Sequence, residues 1–168
     1  MQILYLISVW LHIISSIIWV GGMFFLILVL IPVLRDPEYE SIFSRLFLKI
    51  GQRFRNVGWI SLCLLVLTGI INLAFRGYDF SDFLSGRIFV GTFGHVLLQK
   101  LVAVVLILLI SIVHDFWIGP RAMALIRREP KSPESRKYRL ITVWLGRLNF
   151  VLAILVVALA VVLVRGGI

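Results

Sequence analysis

His12, His95, Lys100, the adjacent His114 and Asp115, and Arg147 are the ionisable side chains that interrupt otherwise apolar stretches of this chain. Such groups are costly inside a bilayer and usually face a bundle interior, a partner or a water-filled cavity. Imidazole can ligate copper, or can bind a haem iron axially. His12 and His95 fall about equally far into two stretches that enter from the same side, so together they could form a bis-histidine site. Around such a site Gly91 and Gly94 would leave room for a flat macrocycle. Trp10, Trp19, Phe24 and Phe93 could line it, and Arg76, Arg87 or Lys100 could neutralise acidic substituents. The bland alternative has His12 hydrogen-bonding across the bundle and His95 in a polar outer vestibule.

Lys100 stands about 7.5 Å deeper than His95, near the bilayer midplane and too deep for easy snorkelling. It is a candidate for proton-coupled chemistry or for pairing with a bound anion; otherwise it makes a structural pair with water or a carbonyl. His114 and Asp115 are neighbours on a helix and are expected to point to different faces. Near the inner interface, His114 could relay protons or could be an ordinary interfacial residue. Arg147 and Asn149 sit at the same end of the last apolar run. Gly21 and Gly22 read as a packing notch. Met1, Met23, Met123 and Cys63 are too scattered for a soft-metal cluster, and a lone cysteine excludes an intrachain disulfide. There is no paired carboxylate, zinc motif, phosphate loop or nucleophile triad, which argues against hydrolase chemistry.

The elements that must position these groups follow from composition. The chain has 168 residues, 61% apolar and 15% charged, with a mean hydropathy of +1.05. Soluble domains average about 45–50% apolar and about 25% charged. Too few charges remain for a water-soluble surface, and disorder is excluded by the same balance. Apolar runs at 3–34, 57–75, 88–117 and 141–164 predict four membrane spans in a single domain, 1–168. The first run lacks a basic leader and is too long for a signal sequence, so it is expected to stay.

Of 17 lysines and arginines, 12 fall in two segments, 35–56 and 119–140. The positive-inside rule puts both segments in the cytoplasm and both termini outside. The expected fold is therefore an all-α, integral membrane four-helix bundle of the inner (cytoplasmic) membrane. Its +9 charge is explained by topology and anionic lipid, so no nucleic-acid partner is expected. Residues 41–55 carry Arg45, Lys49 and Arg53 at every fourth position beside Ile42, Phe43, Leu46, Phe47, Ile50 and Phe54. This is an inner-leaflet amphipathic helix or a cytoplasmic extension of the second span. The REPKSPES stretch, with Pro130 and Pro133, predicts a flexible loop. No internal repeat is evident.

WLHIISSIIWVGGMFF at 10–25 resembles the first span of the CopD copper-resistance membrane family and of the related HemJ protoporphyrinogen oxidase family. The resemblance continues through GHVLLQKLVAVVLILLISIVHDF, with Lys100 and His114 on matching positions, and GRLNFVLAILVVALAVVL, with Arg147 and Asn149. HemJ-like membership implies haem b with His12 as ligand and Lys100 close to the reaction. It further implies oxidation of a porphyrinogen with electrons passed to a quinone or respiratory-chain partner. Leu98 stands where the HemJ pattern has a histidine, and Phe25 onward replaces its tyrosine-proline-arginine continuation. CopD-like membership implies copper uptake or transfer across the inner membrane.

Three functions follow as expectations. The leading one is a haem b redox protein with His12 and His95 as iron ligands, Trp19 and Arg87 beside the cofactor, and Lys100, Arg147 and His114 as catalytic groups. The second is a copper or small-solute transporter using the same two histidines. The third is a non-catalytic accessory subunit. A homodimer is compatible with each.

Overall fold

The structure is a computed structural model that describes residues 1–129 and 132–165, with the side chains of residues 40, 41, 43–45 and 47 outside that description. Phe43, Arg45 and Phe47 of the expected amphipathic face, and Pro130 and Lys131 of the expected loop, therefore lie outside the described residues.

The protein is all-α, 92% helical, with no strand among the described residues. Among the described residues four helices are long and apolar enough to cross a membrane: Gln2–Leu34, Leu48–Phe75, Gly91–Arg128 and Pro133–Val164. A helix closes every backbone hydrogen bond within its own segment, as a chain surrounded by hydrocarbon requires. The apolar side chains not used for packing point outward; Ile3 is 73% and Ile60 63% exposed.

The chain divides into two compact units, Met1–Leu84 and Ser85–Ile168. In the first, α1 (Gln2–Phe25) runs through a π turn, Leu26–Leu30, into the short α2 (Ile31–Leu34). A 3-10 turn, Pro37–Tyr39, leads to α3 (Glu40–Phe75). Residues 41–55 are thus continuous with the second span, the extension rather than a separate helix. Just past the end of α3 comes Gly77, whose φ of +88° favours glycine. There Gly77 N–H donates to the Ala74 carbonyl and Tyr78 N–H to that of Leu73, the two bonds of a Schellman cap. α4 (Phe80–Leu84) follows. Asp79 Oδ1 accepts from Asp82 N–H, and Asp82 Oδ2 accepts from Asp79 N–H, both at 3.0 Å. Asp79 and Asp82 thereby cap a helix start reciprocally.

The second unit opens with a 3-10 turn, Arg87–Phe89, before α5 (Gly91–Ile112). A π turn, Val113–Ile118, joins α5 to α6 (Gly119–Arg128). α7 (Pro133–Val164) completes it. Ser132 caps α7 by accepting from Ser135 N–H at 3.1 Å, Pro133 occupies the first turn where its missing N–H costs nothing, and Glu134 favours the positive helix end. The last helix therefore begins eight residues before the expected 141, and the third continues well past 117. Hydropathy marks where apolar sequence ends, whereas lysine and arginine are good helix formers and carry the helix onward.

Each unit repeats one plan that the sequence alone did not suggest. Each π turn ends two residues before a proline: Leu30 before Pro32, and Ile118 before Pro120. A proline ring clashes with the carbonyl four residues back. Widening the turn passes the ladder to the fifth residue, so Ile31 N–H bonds Leu26 and Gly119 N–H bonds His114. The two prolines lie 88 residues apart. The same offset carries buried Ser15, Trp19, Met23 and Leu34 onto buried Ala103, Ile107, Ser111 and Ala122. The repeat is one of burial and backbone rather than residue identity, which hides it from inspection.

Candidate functional site

The first unit is held by a seam between α1 and α3, which run antiparallel. Ser8, Ser15, Trp19 and Met23 are buried along one face of α1, and Gly58, Ser61, Leu62 and Thr68 are buried on α3. Hydrocarbon gives no hydrophobic drive between helices, so close-packing small residues and cross-helix hydrogen bonds take its place. From the N-terminal end inward, Tyr5 meets Phe75 with ring centroids 5.5 Å apart. Ser8 Oγ donates to the Thr68 carbonyl at 3.4 Å. Deeper, the Trp19 ring lies over Gly58, and Gly22 faces the Phe54 ring.

His12 sits in the middle of this seam, half-buried. Its Nδ1 is 2.8 Å from Thr68 Oγ1. The Thr68 hydroxyl donates its single proton back to the Leu64 carbonyl, one turn earlier on α3. Its oxygen can then only accept, so His12 is protonated on Nδ1 and its lone pair is on Nε2. Gly69, next to Thr68, lies beside the ring: a Cβ there would come within 3.7 Å of His12 Cε1. A hydroxyl that fixes tautomer and ring plane is the kind of outer support that metal-binding histidines use.

Trp19 is buried at 7% exposure, seven residues past His12 on the same face. Met23, also buried, is the next position inward. Cys63 is exposed on α3, away from this seam.

In the second unit Lys100 is half-buried on α5, 88 residues after His12, so it holds the place in its unit that His12 holds in the first. His95 is exposed near the start of α5, and Arg87 is exposed in the turn before it. A cross-helix bond of this unit runs from Asn149 Nδ2, which donates to Ser111 Oγ at 2.8 Å. His114 lies in the π turn with Nδ1 2.7 Å from Asp115 Oδ1. The expectation that these neighbours point apart is corrected; a π turn advances less per residue than an α turn and brings adjacent side chains closer. Gly119 completes this turn, since a Cβ there would sit 2.9 Å from the His114 carbonyl oxygen. Arg147 is exposed, its guanidinium carbon 5.2 Å from the Trp144 ring centroid, a cation–π pair.

Of the expected site residues, His12 and Trp19 share one seam in the first unit. His95, Lys100, His114, Arg147 and Arg87 belong to the second. Thr68, Ser8 and Ser111 escaped notice in the sequence. The Thr68 signal was available: it lies seven residues before the end of the second apolar run and His12 nine past the start of the first, and a hairpin puts similar depths side by side.

A multi-pass helical membrane protein with a single oriented imidazole between its first two helices is the class these observations define. Residues 48–163 match the family described as Copper resistance protein D, and the chain belongs to this CopD family. A protein of Aquifex aeolicus (strain VF5), described only as uncharacterized, is 34% identical over 152 residues, covering 90% of this chain and 89% of that relative. No solved structure matches.

Proposed function

We propose that this chain handles copper in the cytoplasmic membrane, taking the ion as a passing guest at His12 Nε2. In this reading all 168 residues act as one transmembrane domain, with both termini outside and the basic segments in the cytoplasm. The observation that carries the reading is the Thr68 hydroxyl, which fixes the ring of a seam histidine through Nδ1 in a chain of the CopD family. Imidazole is an accepted copper donor, and thioether is a soft one. Met23 lies on the same α1 face about 16 Å further along, so the seam offers a nitrogen and then a sulfur along one line. The described residues contain no cluster of three or more His, Cys, Asp or Glu side chains. That donor set suits transfer better than storage.

A haem iron could use the same Nε2, and the HemJ resemblance makes this the second reading. The first unit holds no other histidine to complete a bis-histidine pair. His95, Lys100, His114, Arg87 and Arg147 enter the haem reading as its remaining ligand, catalytic and charge-neutralising groups.

The test is copper uptake into proteoliposomes, together with the absorption spectrum of the protein purified from haem-sufficient cells. The expected result is copper entry above that of empty vesicles, lost in His12→Ala, with no Soret band. A Soret band lost in His12→Ala would move the assignment to haem b. Uptake at the empty-vesicle level, with no copper retained, would remove the copper reading.

A further inference from the structure

One face of α7 forms a groove of about 600 Å³ that the seam does not use. Its lining residues recur every three or four positions. Arg136 and Lys137 stand at one end, and Leu140, Trp144, Leu145 and Leu148 follow. Among the lining residues the cations are confined to the N-terminal end and the rest are apolar, with Arg147 beside the stripe, stacked on the Trp144 ring. Leu140 is 53%, Trp144 64% and Leu148 48% exposed. From Arg136 to Leu148 the helix rises about 18 Å, close to the roughly 15 Å hydrocarbon depth of one leaflet. The groove is therefore as long as an acyl chain's share of the bilayer, with two cations where a headgroup would lie.

We propose that this face of α7 is a binding site for an anionic diacyl phospholipid of the cytoplasmic leaflet. Arg136 and Lys137 take the negatively charged headgroup, and an acyl chain lies along Leu140, Trp144 and Leu148. Basic pockets on the cytoplasmic side of membrane helices are suited to such headgroups. A second copy of the chain fits this face less well: two-fold symmetry about the membrane normal would set Arg136 and Lys137 of each copy at the same depth, near their own repeats. A zwitterionic lipid satisfies the apolar stripe and leaves the cations without a counter-charge. The site lies on α7 and does not depend on what His12 binds.

The test is native mass spectrometry of the full chain in neutral detergent with equal amounts of phosphatidylglycerol and phosphatidylethanolamine. The expected result is retention of phosphatidylglycerol about tenfold over phosphatidylethanolamine. The variant Arg136→Gln/Lys137→Gln should lower that retention about ten- to thirtyfold, as expected for two cations near a membrane surface. Arg136→Lys, which keeps the charge, should retain the lipid. Arg127→Gln/Arg128→Gln on α6 removes two cations outside the groove and should leave retention unchanged. Equal retention of the two lipids, an equal loss in the α6 variant, or a protein dimer that excludes lipid would each overturn the proposal.

Discussion

Replacing Thr68 by valine removes one oxygen and keeps the shape of the side chain. Thr68 is 2% exposed, so no water replaces the hydroxyl. The Leu64 carbonyl is the lesser concern, since a helical carbonyl keeps its backbone partner. The consequence falls on His12, whose Nδ1–H loses the acceptor at 2.8 Å. A buried donor left without a partner costs about 1–3 kcal/mol. The ring escapes that cost by turning or by moving its proton to Nε2, the nitrogen proposed to meet copper. Either route weakens binding, and the same 1–3 kcal/mol corresponds to about five- to 150-fold in affinity. Loss of an outer-shell partner typically costs a metal site about 10–100-fold, within that range. Cu(I) affinity measured by chelator competition in detergent should therefore fall at least about tenfold in Thr68→Val. Thr68→Ser keeps the hydroxyl and should stay within about threefold of the parent. Parental affinity in Thr68→Val would refute the idea that Thr68 orients His12 for the ion.

Three further outcomes bear on the packing. Ser111→Ala and Asn149→Leu should each destabilise the protein in detergent melts, with the double variant less destabilised than the two singles together; a coupling of about 0.6 kcal/mol is expected for a hydrogen bond between membrane helices. Gly94→Ala should destabilise more than Gly22→Ala in the same melts, because its new Cβ meets the Phe89 backbone, whereas at Gly22 it meets a Phe54 ring that can turn. Ser132→Ala should cost about 1 kcal/mol through loss of the α7 cap, with Ser132→Asp close to the parent.

Membrane character, the number of spans and their approximate depths were legible because uncharged runs of bilayer length admit no other reading. The starts of the second and last helices and the end of the third were not. Arg121, Lys137 and their neighbours lie outside the apolar pattern yet inside a helix, and Ser132 with Pro133 sets the start of α7 where hydropathy gives no sign. The π turns were half-visible in Pro32 and Pro120, whose effect on the preceding turn depends on the backbone. His12 was legible as a candidate from its type and setting. Its tautomer was not, since that depends on a threonine 56 residues away and on a carbonyl one turn behind it. The cross-helix pairing of Asn149 with Ser111 shows the same limit: residue type marked one partner, and only the helix register names the other.

The most direct measurement is nitrogen-15 NMR of the histidine-labelled protein in detergent at neutral pH, with His12 assigned by its loss in His12→Ala. Cu(I) is diamagnetic, so the spectrum can be followed through a titration. The expected spectrum has the His12 proton on Nδ1, and the unprotonated Nε2 resonance moves as Cu(I) is added. A proton on Nε2, or an Nε2 resonance that stays in place at saturating Cu(I), would contradict the assignment of His12 as the copper-receiving group.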